Sequence, residues 1–195
     1  MWYDIHPTPL AEVEVEHNFS KGFKRQLETV KALWLETLDD TTTDFSVCEE
    51  HTSIDHLKQF MASSEPHDVA CGKKNGTLFR PTFVVPPLLQ EELHFGLTPQ
   101  VSVDQSGFFW YKPGSYMDWH TNANKIGIRL YLNIATKNGH SGFKYYDAEK
   151  DEVVDITDKT YWTCKMFNIN KDTPLWHSVY AKDAHRLSLG FNINK

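Results

Sequence analysis

Two stretches of this chain alternate polar and apolar residues with a period of two, and that alternation limits the fold more than any other feature. In 127–135, Arg129, Tyr131 and Asn133 share one parity, and Leu130, Leu132 and Ile134 share the other. In 185–193, Arg186, Ser188 and Gly190 oppose Leu187, Leu189 and Phe191. Successive side chains of a strand point to opposite faces, so each stretch predicts a strand with one polar and one apolar face. A polar interior with an apolar exterior describes a small barrel lined for a ligand and packed outside by helices. Residues 175–180 predict a further strand, and 181–184 have the length and polarity of a hairpin loop joining it to 185–193.

The N-terminal half supplies the covering helices. Phe19, Phe23, Leu27, Val30 and Trp34 recur at helical spacing behind a cap-like Ser20, which predicts an amphipathic helix over 21–38. A second helix is predicted over 54–62, after Ser53. Residues 71–75 read as a loop, 78–85 as a strand, and Pro86 and Pro87 as the start of a helical turn through Leu93. Residues 101–103 and 108–111 flank 104–107 as a hairpin. With 195 residues, 40% of them hydrophobic, one domain with a sizeable core is expected. Its first part, about 1–95, is helical support with the first strands; about 100–195 is the strand core that carries the site.

Charge and cysteine usage narrow the class. A formal charge of −6 gives no general reason to bind nucleic acid through phosphates. Cys48, Cys71 and Cys164 are widely spaced and odd in number, as expected for free thiols of a reducing compartment. The start lacks a basic and apolar leader pattern and no run is long enough to span a bilayer, so a cytoplasmic protein is expected, with no membrane partner. Oligomeric state is not indicated.

The chemistry lies in His120 and His177, with Arg186 nine residues after the second histidine. An iron(II) that activates dioxygen keeps coordination positions open and takes few protein ligands, usually two histidines and a carboxylate. A 2-oxo acid that chelates such an iron needs a buried, permanently charged, fork-shaped donor for its far carboxylate, which describes arginine. His6, His17, His51, His56, His67 and His94 read as surface or core residues. His140 falls in a turn-like stretch, and His185, next to Arg186, faces the other way.

At these residues the chain resembles the iron(II)- and 2-oxoglutarate-dependent dioxygenases, whose His-x-Asp/Glu pair, distant His and following Arg correspond to His120, His177 and Arg186, with Ser188 completing an Arg-x-Ser pair. The stretch from Pro113 and Gly114 to His120 and Thr121, continuing to Arg129 and Tyr131, is similar to the two-histidine aspartyl/asparaginyl β-hydroxylase group. The resemblance covers about 101–194. It implies a mainly β, double-stranded β-helix (jelly-roll, cupin-like) barrel with supporting N-terminal helices. It also implies an oxidoreductase that uses Fe(II), 2-oxoglutarate and O2 to hydroxylate an unactivated C–H bond of an amino acid or peptide residue, releasing succinate and CO2. His120 and His177 would ligate iron. Arg186 and Ser188 would bind the distal carboxylate, assisted by Arg129 or Tyr131, with Tyr111 reaching the co-substrate from a neighbouring strand.

Asn122 departs from the pattern, since an amide stands where the family has its acid. It fills the third position directly, through water, or not at all; Asp118, of the same strand parity as His120, is another source of the carboxylate. Two alternatives to a hydroxylase stay open: a halogenase, with a halide in the vacancy, and a catalytically degenerate module that binds metal or 2-oxoglutarate without turnover.

Overall fold

The computed structural model of the chain describes residues 10–39, 44–63, 74–75, 78–79, 102–122, 126–170 and 174–194. In chain order these form β1 (Leu10–Glu14), α1 (Val15–Asn18), α2 (Lys21–Leu35), α3 (Phe45–His51), α4 (Ile54–Ser63), β2 (Lys74–Asn75) and β3 (Leu78–Phe79). There follow β4 (Ser102–Tyr111), β5 (Tyr116–His120), β6 (Gly127–Ala135), β7 (Ser141–Asp147), β8 (Glu152–Thr157), β9 (Thr163–Ile169), β10 (His177–Ala181) and β11 (Arg186–Asn194). One sheet runs β1-β9-β6-β11-β4-β3 and the other β2-β5-β10-β7-β8. Every pairing is antiparallel. From β4 onward the chain crosses repeatedly between the two sheets. That strand order is the double-stranded β-helix, so the fold is mainly β, a jelly roll with helices outside it.

The parity read in β6 and β11 decides what each face meets. Leu130, Leu132, Ile134, Leu187, Leu189 and Phe191 are buried on the outer face, in one cluster with Phe23, Leu27, Val30 and Trp34 of α2. A 15-residue helix is marginal alone in water. Burying each of these large side chains contributes roughly 1.5–3 kcal/mol, which anchors it to the sheet. Ser20 caps α2 by accepting from the Phe23 amide at 3.2 Å. The helix stops at Leu35, short of the expected 38, because the Thr37 amide and hydroxyl both donate to the Trp34 carbonyl, at 2.9 and 2.7 Å.

A second helical unit covers the other sheet. α3, which the sequence reading lacked, starts at Asp44, whose carboxylate accepts from the Ser46 amide at 2.9 Å. The corner between α3 and α4 is clamped to the outer face of the five-stranded sheet. Trp119 Nε1 donates to the Ser53 carbonyl at 3.0 Å, and Lys144 Nζ donates to the Thr52 carbonyl at 3.1 Å. Among the described residues no helix is long and apolar enough to cross a membrane.

Three local expectations are corrected. Residues 181–184 do not close a hairpin: β10 pairs with β5 and β7, β11 with β4 and β6, and the loop carries the chain from one sheet to the other. Residues 104–107 are not a turn either, since β4 runs unbroken and Asp104 and Gln105 pair with Asn192 and Phe191 of β11. The polar residues there accompany a bulge, where Gly107 is needed because a Cβ would lie 2.4 Å from the Phe109 ring. Lys74 and Asn75, expected in a loop, pair with Met117 and Tyr116 as β2. Of the strand expected over 78–85 only Leu78 and Phe79 fall within the described residues, and the turn from Pro86 to Leu93 falls outside them, as do Cys71, His6, His67 and His94.

Candidate metal and anion site

The inner faces of the two sheets enclose a cavity of about 230 Å³, lined by His120, Asn122 and His177 and by Arg129, Tyr131, Arg186 and Ser188. Tyr111 lines it as well. All eight candidate residues therefore border one space, though 77 positions separate Tyr111 from Ser188 along the chain.

His120 and His177 face each other across the β5–β10 pair, with ring centroids 4.1 Å apart, and both are almost fully buried. Each ring bonds the carbonyl two residues before it: His120 Nδ1 to Asp118 at 2.7 Å, and His177 Nδ1 to Leu175 at 2.8 Å. A carbonyl oxygen only accepts, so each Nδ1 carries a hydrogen, and the neutral form of each ring has its lone pair on Nε2. Burial, and then the neighbouring His120, hold the His177 imidazole well below the usual histidine range despite the Leu175 carbonyl, so it is neutral at pH 7. Two imidazoles whose Nδ1 atoms are both held by backbone carbonyls, with fixed ring orientation, suit a divalent transition metal, the carbonyls supplying the outer partners that such ligands need.

Asn122 has a left-handed backbone, φ 54°, which asparagine tolerates better than most residues. That turn at the end of β5 brings its side chain back to the pair, where Nδ2 stands 2.9 Å from His177 Nε2 and donates to it. Rotating the amide exchanges Nδ2 for the carbonyl oxygen at that point.

Asp118 does not reach the cavity, and a β-bulge is the reason. Met117 and His120 both face inward opposite Val179 and His177, with one extra residue on β5 between them. Asp118 and Trp119 are therefore both turned outward, and the same-face reading of Asp118 with His120 fails. The bulged Trp119 amide is satisfied by Asp118 Oδ1 at 2.7 Å. Asp118 Oδ2 instead lies 3.1 Å from His51 Nδ1 and 3.1 Å from His56 Nε2, both supplied by the helical corner. His51 and His56, read as surface or core residues, are partly buried and form a His-His-Asp cluster with Asp118 on the outer face.

Arg186, which lines the cavity, is held by three groups that leave one nitrogen of its fork without a partner. Nε donates to Asp158 Oδ2 at 2.7 Å, Nη2 to Asn133 Oδ1 at 2.6 Å, and the guanidinium lies 5.1 Å from the centre of the Tyr111 ring. Nη1 is buried with no hydrogen-bond partner. Asp158 also accepts from Lys165 Nζ at 2.8 Å and from Ser141 Oγ at 2.9 Å. Burial alone would raise its carboxyl, but Arg186 and Lys165 outweigh that and hold it far below the usual carboxylate range. Arg186, Lys165 and Asp158 are essentially fully buried, so the interior holds two cations against one anion, with Glu12 meeting Lys165 at 3.0 Å from a partly exposed position. Buried positive charge beside an unsatisfied guanidinium N–H is an arrangement that an anion would complete.

Arg129 lies at the other end of β6. Six residues separate it from Ala135, the partner of Arg186, which is about 20 Å of strand. Its charge acts on His177, so it belongs to the histidine end. Tyr131 stacks on Phe167 at 5.7 Å and 11°. Gly190 opposite is small of necessity, as a Cβ there would come within 2.8 Å of the Tyr131 ring and 2.9 Å of the Gly107 carbonyl. The loop reading of His140 and the outward reading of His185 agree with the structure: His140 lies between β6 and β7 and pairs with Asp183, and His185 accepts from Trp110 Nε1 at 3.1 Å. Sequence reasoning missed Asp158, for which no local pattern exists.

No family model matches the chain, and no curated protein matches it. Solved structures to which it is similar include a prolyl-4-hydroxylase of Pseudomonas putida, at 12% identity and a TM-score of 0.46, over 98% of this chain and 94% of that one. Another is an oxidoreductase of the 2OG-Fe(II) oxygenase family from Burkholderia pseudomallei, at 10% identity and a TM-score of 0.41, over 72% of this chain and 77% of that one. At these levels the likeness carries no functional weight.

Proposed function

We propose that the chain is an iron(II)- and 2-oxoglutarate-dependent oxygenase that hydroxylates a C–H bond, with an amino acid or a peptide residue as the substrate class suggested by the sequence resemblance. The observation that carries this reading is the pairing, in one cavity, of two Nε2 lone pairs set by their backbone bonds with the unpartnered Nη1 of Arg186. His120 and His177 would hold iron(II), which together with the 2-oxo acid supplies the reduction of dioxygen, one oxygen atom going to succinate and the other to the substrate.

The remaining work falls to the chain. Arg186 Nη1, with the Ser188 hydroxyl beside it on the inner face of β11, binds the distal carboxylate. Asp158 and Asn133 hold the other two guanidinium nitrogens and so aim the free one. Arg129, at the histidine end, offers a second cation to the carboxylate next to the keto group. Phe109, Tyr111, Met117, Phe143 and Val179 line the cavity with apolar surface that limits water around the reacting groups. A volume of about 230 Å³ is smaller than the roughly 300–1,000 Å³ of pockets for drug-sized ligands and suits a small dicarboxylic acid.

Asn122 supports a second reading. Its amide N–H already caps the His177 Nε2 lone pair, as in a degenerate module that keeps the anion site and binds without turnover. Anaerobic titration of the protein with iron(II) and 2-oxoglutarate, followed by admission of oxygen, separates the two. A visible charge-transfer band and then succinate are expected of the oxygenase. A folded protein that gives neither at saturating ligand favours the binding module, and one that makes a chlorinated product only with chloride is a halogenase.

A further inference from the structure

On the outer face of β5, the ring nitrogens of His51 and His56 and a carboxylate oxygen of Asp118 form a triangle with sides of 3.1, 3.1 and 3.3 Å. We propose that this triangle is a second divalent-metal site of zinc type, distinct from the cavity and independent of the oxygenase reading.

Hydrogen bonding alone does not account for the three contacts. Asp118 Oδ2 only accepts, so both nitrogens must carry hydrogens to bond it. The 3.3 Å contact between His51 Nδ1 and His56 Nε2 then sets donor against donor. If one nitrogen gives up its hydrogen to accept from the other, its lone pair faces the carboxylate oxygen instead. With the carboxylate ionised, every choice of histidine tautomer leaves one side of the triangle mismatched. A cation between the three atoms satisfies all of them. Donors held about 2.0–2.2 Å from a common zinc ion lie about 3.0–3.5 Å from one another, which is the spacing present here.

The surroundings fit the same ion. Asp118 is 1% exposed, and among the described residues no lysine or arginine pairs with it. A buried carboxylate without a full cationic partner is costly. The imidazoles are oriented by packing, with His51 stacked on Tyr116 at 4.8 Å and His56 edge-on to Phe60 at 5.3 Å. Their side chains are 22% and 20% exposed, which leaves an entry path and room for a water as fourth ligand. The donor set comes from three elements, α3, α4 and β5, so the ion would staple the helical corner to the bulge whose Asp118 carbonyl orients His120.

The test uses the full chain carrying His120→Ala and His177→Ala, which removes the cavity histidines whatever they bind. One equivalent of zinc(II) is expected to remain bound after exhaustive dialysis, and cobalt(II) to give the intense visible absorption of a four-coordinate centre. Adding His56→Ala, or separately His51→Gln, should abolish both signals while far-UV circular dichroism shows the fold retained. The proposal is overturned if the folded double variant binds neither ion, or if it binds one that neither further substitution removes. Loss of succinate formation in the double variant tests the cavity and not the outer site, so the two readings fail separately.

Discussion

β5 carries a histidine site on each face, and the two are built on opposite principles. Inside, His120 and His177 are buried, share one tautomer and have a neutral amide as third neighbour. Outside, His51 and His56 are partly open to solvent and converge on a buried carboxylate. The outer site brings its own negative charge, so a divalent ion there would be partly compensated by the protein itself. The inner one lacks that charge and has arginines at both ends of its cavity, an arrangement that an anionic co-substrate, as proposed, would complete. On the two proposals, the difference separates a site suited to hold an ion by itself from one that would be complete only with an acid bound.

The largest effect expected is from His177→Ala. 2-Oxoglutarate-dependent succinate formation should fall by more than about a hundredfold, beyond the roughly 10–100-fold cost of losing an outer-shell partner, while zinc at the outer site is retained. His56→Ala should do the converse and lower inner-site iron affinity by no more than about tenfold, through its link to the Asp118 bulge. If His56→Ala removes succinate formation as completely as His177→Ala, the division between the two sites is wrong.

Asp158→Asn should come next. It leaves Arg186 and Lys165 buried against a neutral group, which costs about 3–5 kcal/mol of stability, measurable by urea unfolding. The wild-type acid limit follows from the same contacts. Asp158 has a folded-state pKa depressed below its unfolded value of about 3.9, so its contribution is complete well above that pH and is lost as pH falls through and below it. Asp158→Asn should flatten that acid limb of the stability curve.

Arg186→Lys is expected to raise KM for 2-oxoglutarate by about 10–150-fold, the equivalent of one charge-assisted hydrogen bond of about 1.5–3 kcal/mol, because an ammonium cannot hold Asp158 and the ligand in the same fork. Asn122→Asp addresses the comparison most directly, since it gives the inner site the charge that the outer one has. Aspartate also tolerates the left-handed backbone, so the fold should persist and iron(II) should bind more tightly in anaerobic titration with less dependence on the 2-oxo acid. The smallest effect belongs to Tyr111→Leu, which removes the ring beneath Arg186 and should weaken 2-oxoglutarate binding by about 0.5–2 kcal/mol.

What the sequence made legible was governed by local periodicity. The faces of β6 and β11 and the buried stripe of α2 could be read because parity and helical spacing hold within a few residues. Six of the eight cavity residues followed from motif order, Asn122 from its departure from the motif and Tyr111 from its place on a neighbouring strand. The hairpins did not, because switching between sheets and bulging within a strand look the same in sequence as turning back. Asp118 was misdirected by that parity rule, which assumes one residue on each strand for every pair. His51 and His56, five apart across the break between two helices, have no single-helix spacing to mark them. Asp158 meets Arg186 across 28 residues and two loops, and only the closed barrel reveals that the arginine is held.

The extra residue at Asp118 and Trp119 has a consequence for how the chain tolerates insertion and deletion. Removing one of the two absorbs the bulge, so a strand alternating from Met117 turns the remaining residue to the helices and still presents His120 to the cavity. A strand that kept both but alternated regularly would instead turn His120 outward and leave the cavity with one imidazole. The loss would involve no change in any liganding residue. At this strand the bulge matters as much as the identity of the histidine that follows it, and a chain one residue shorter here would keep its inner histidine while presenting one outward side chain in place of two.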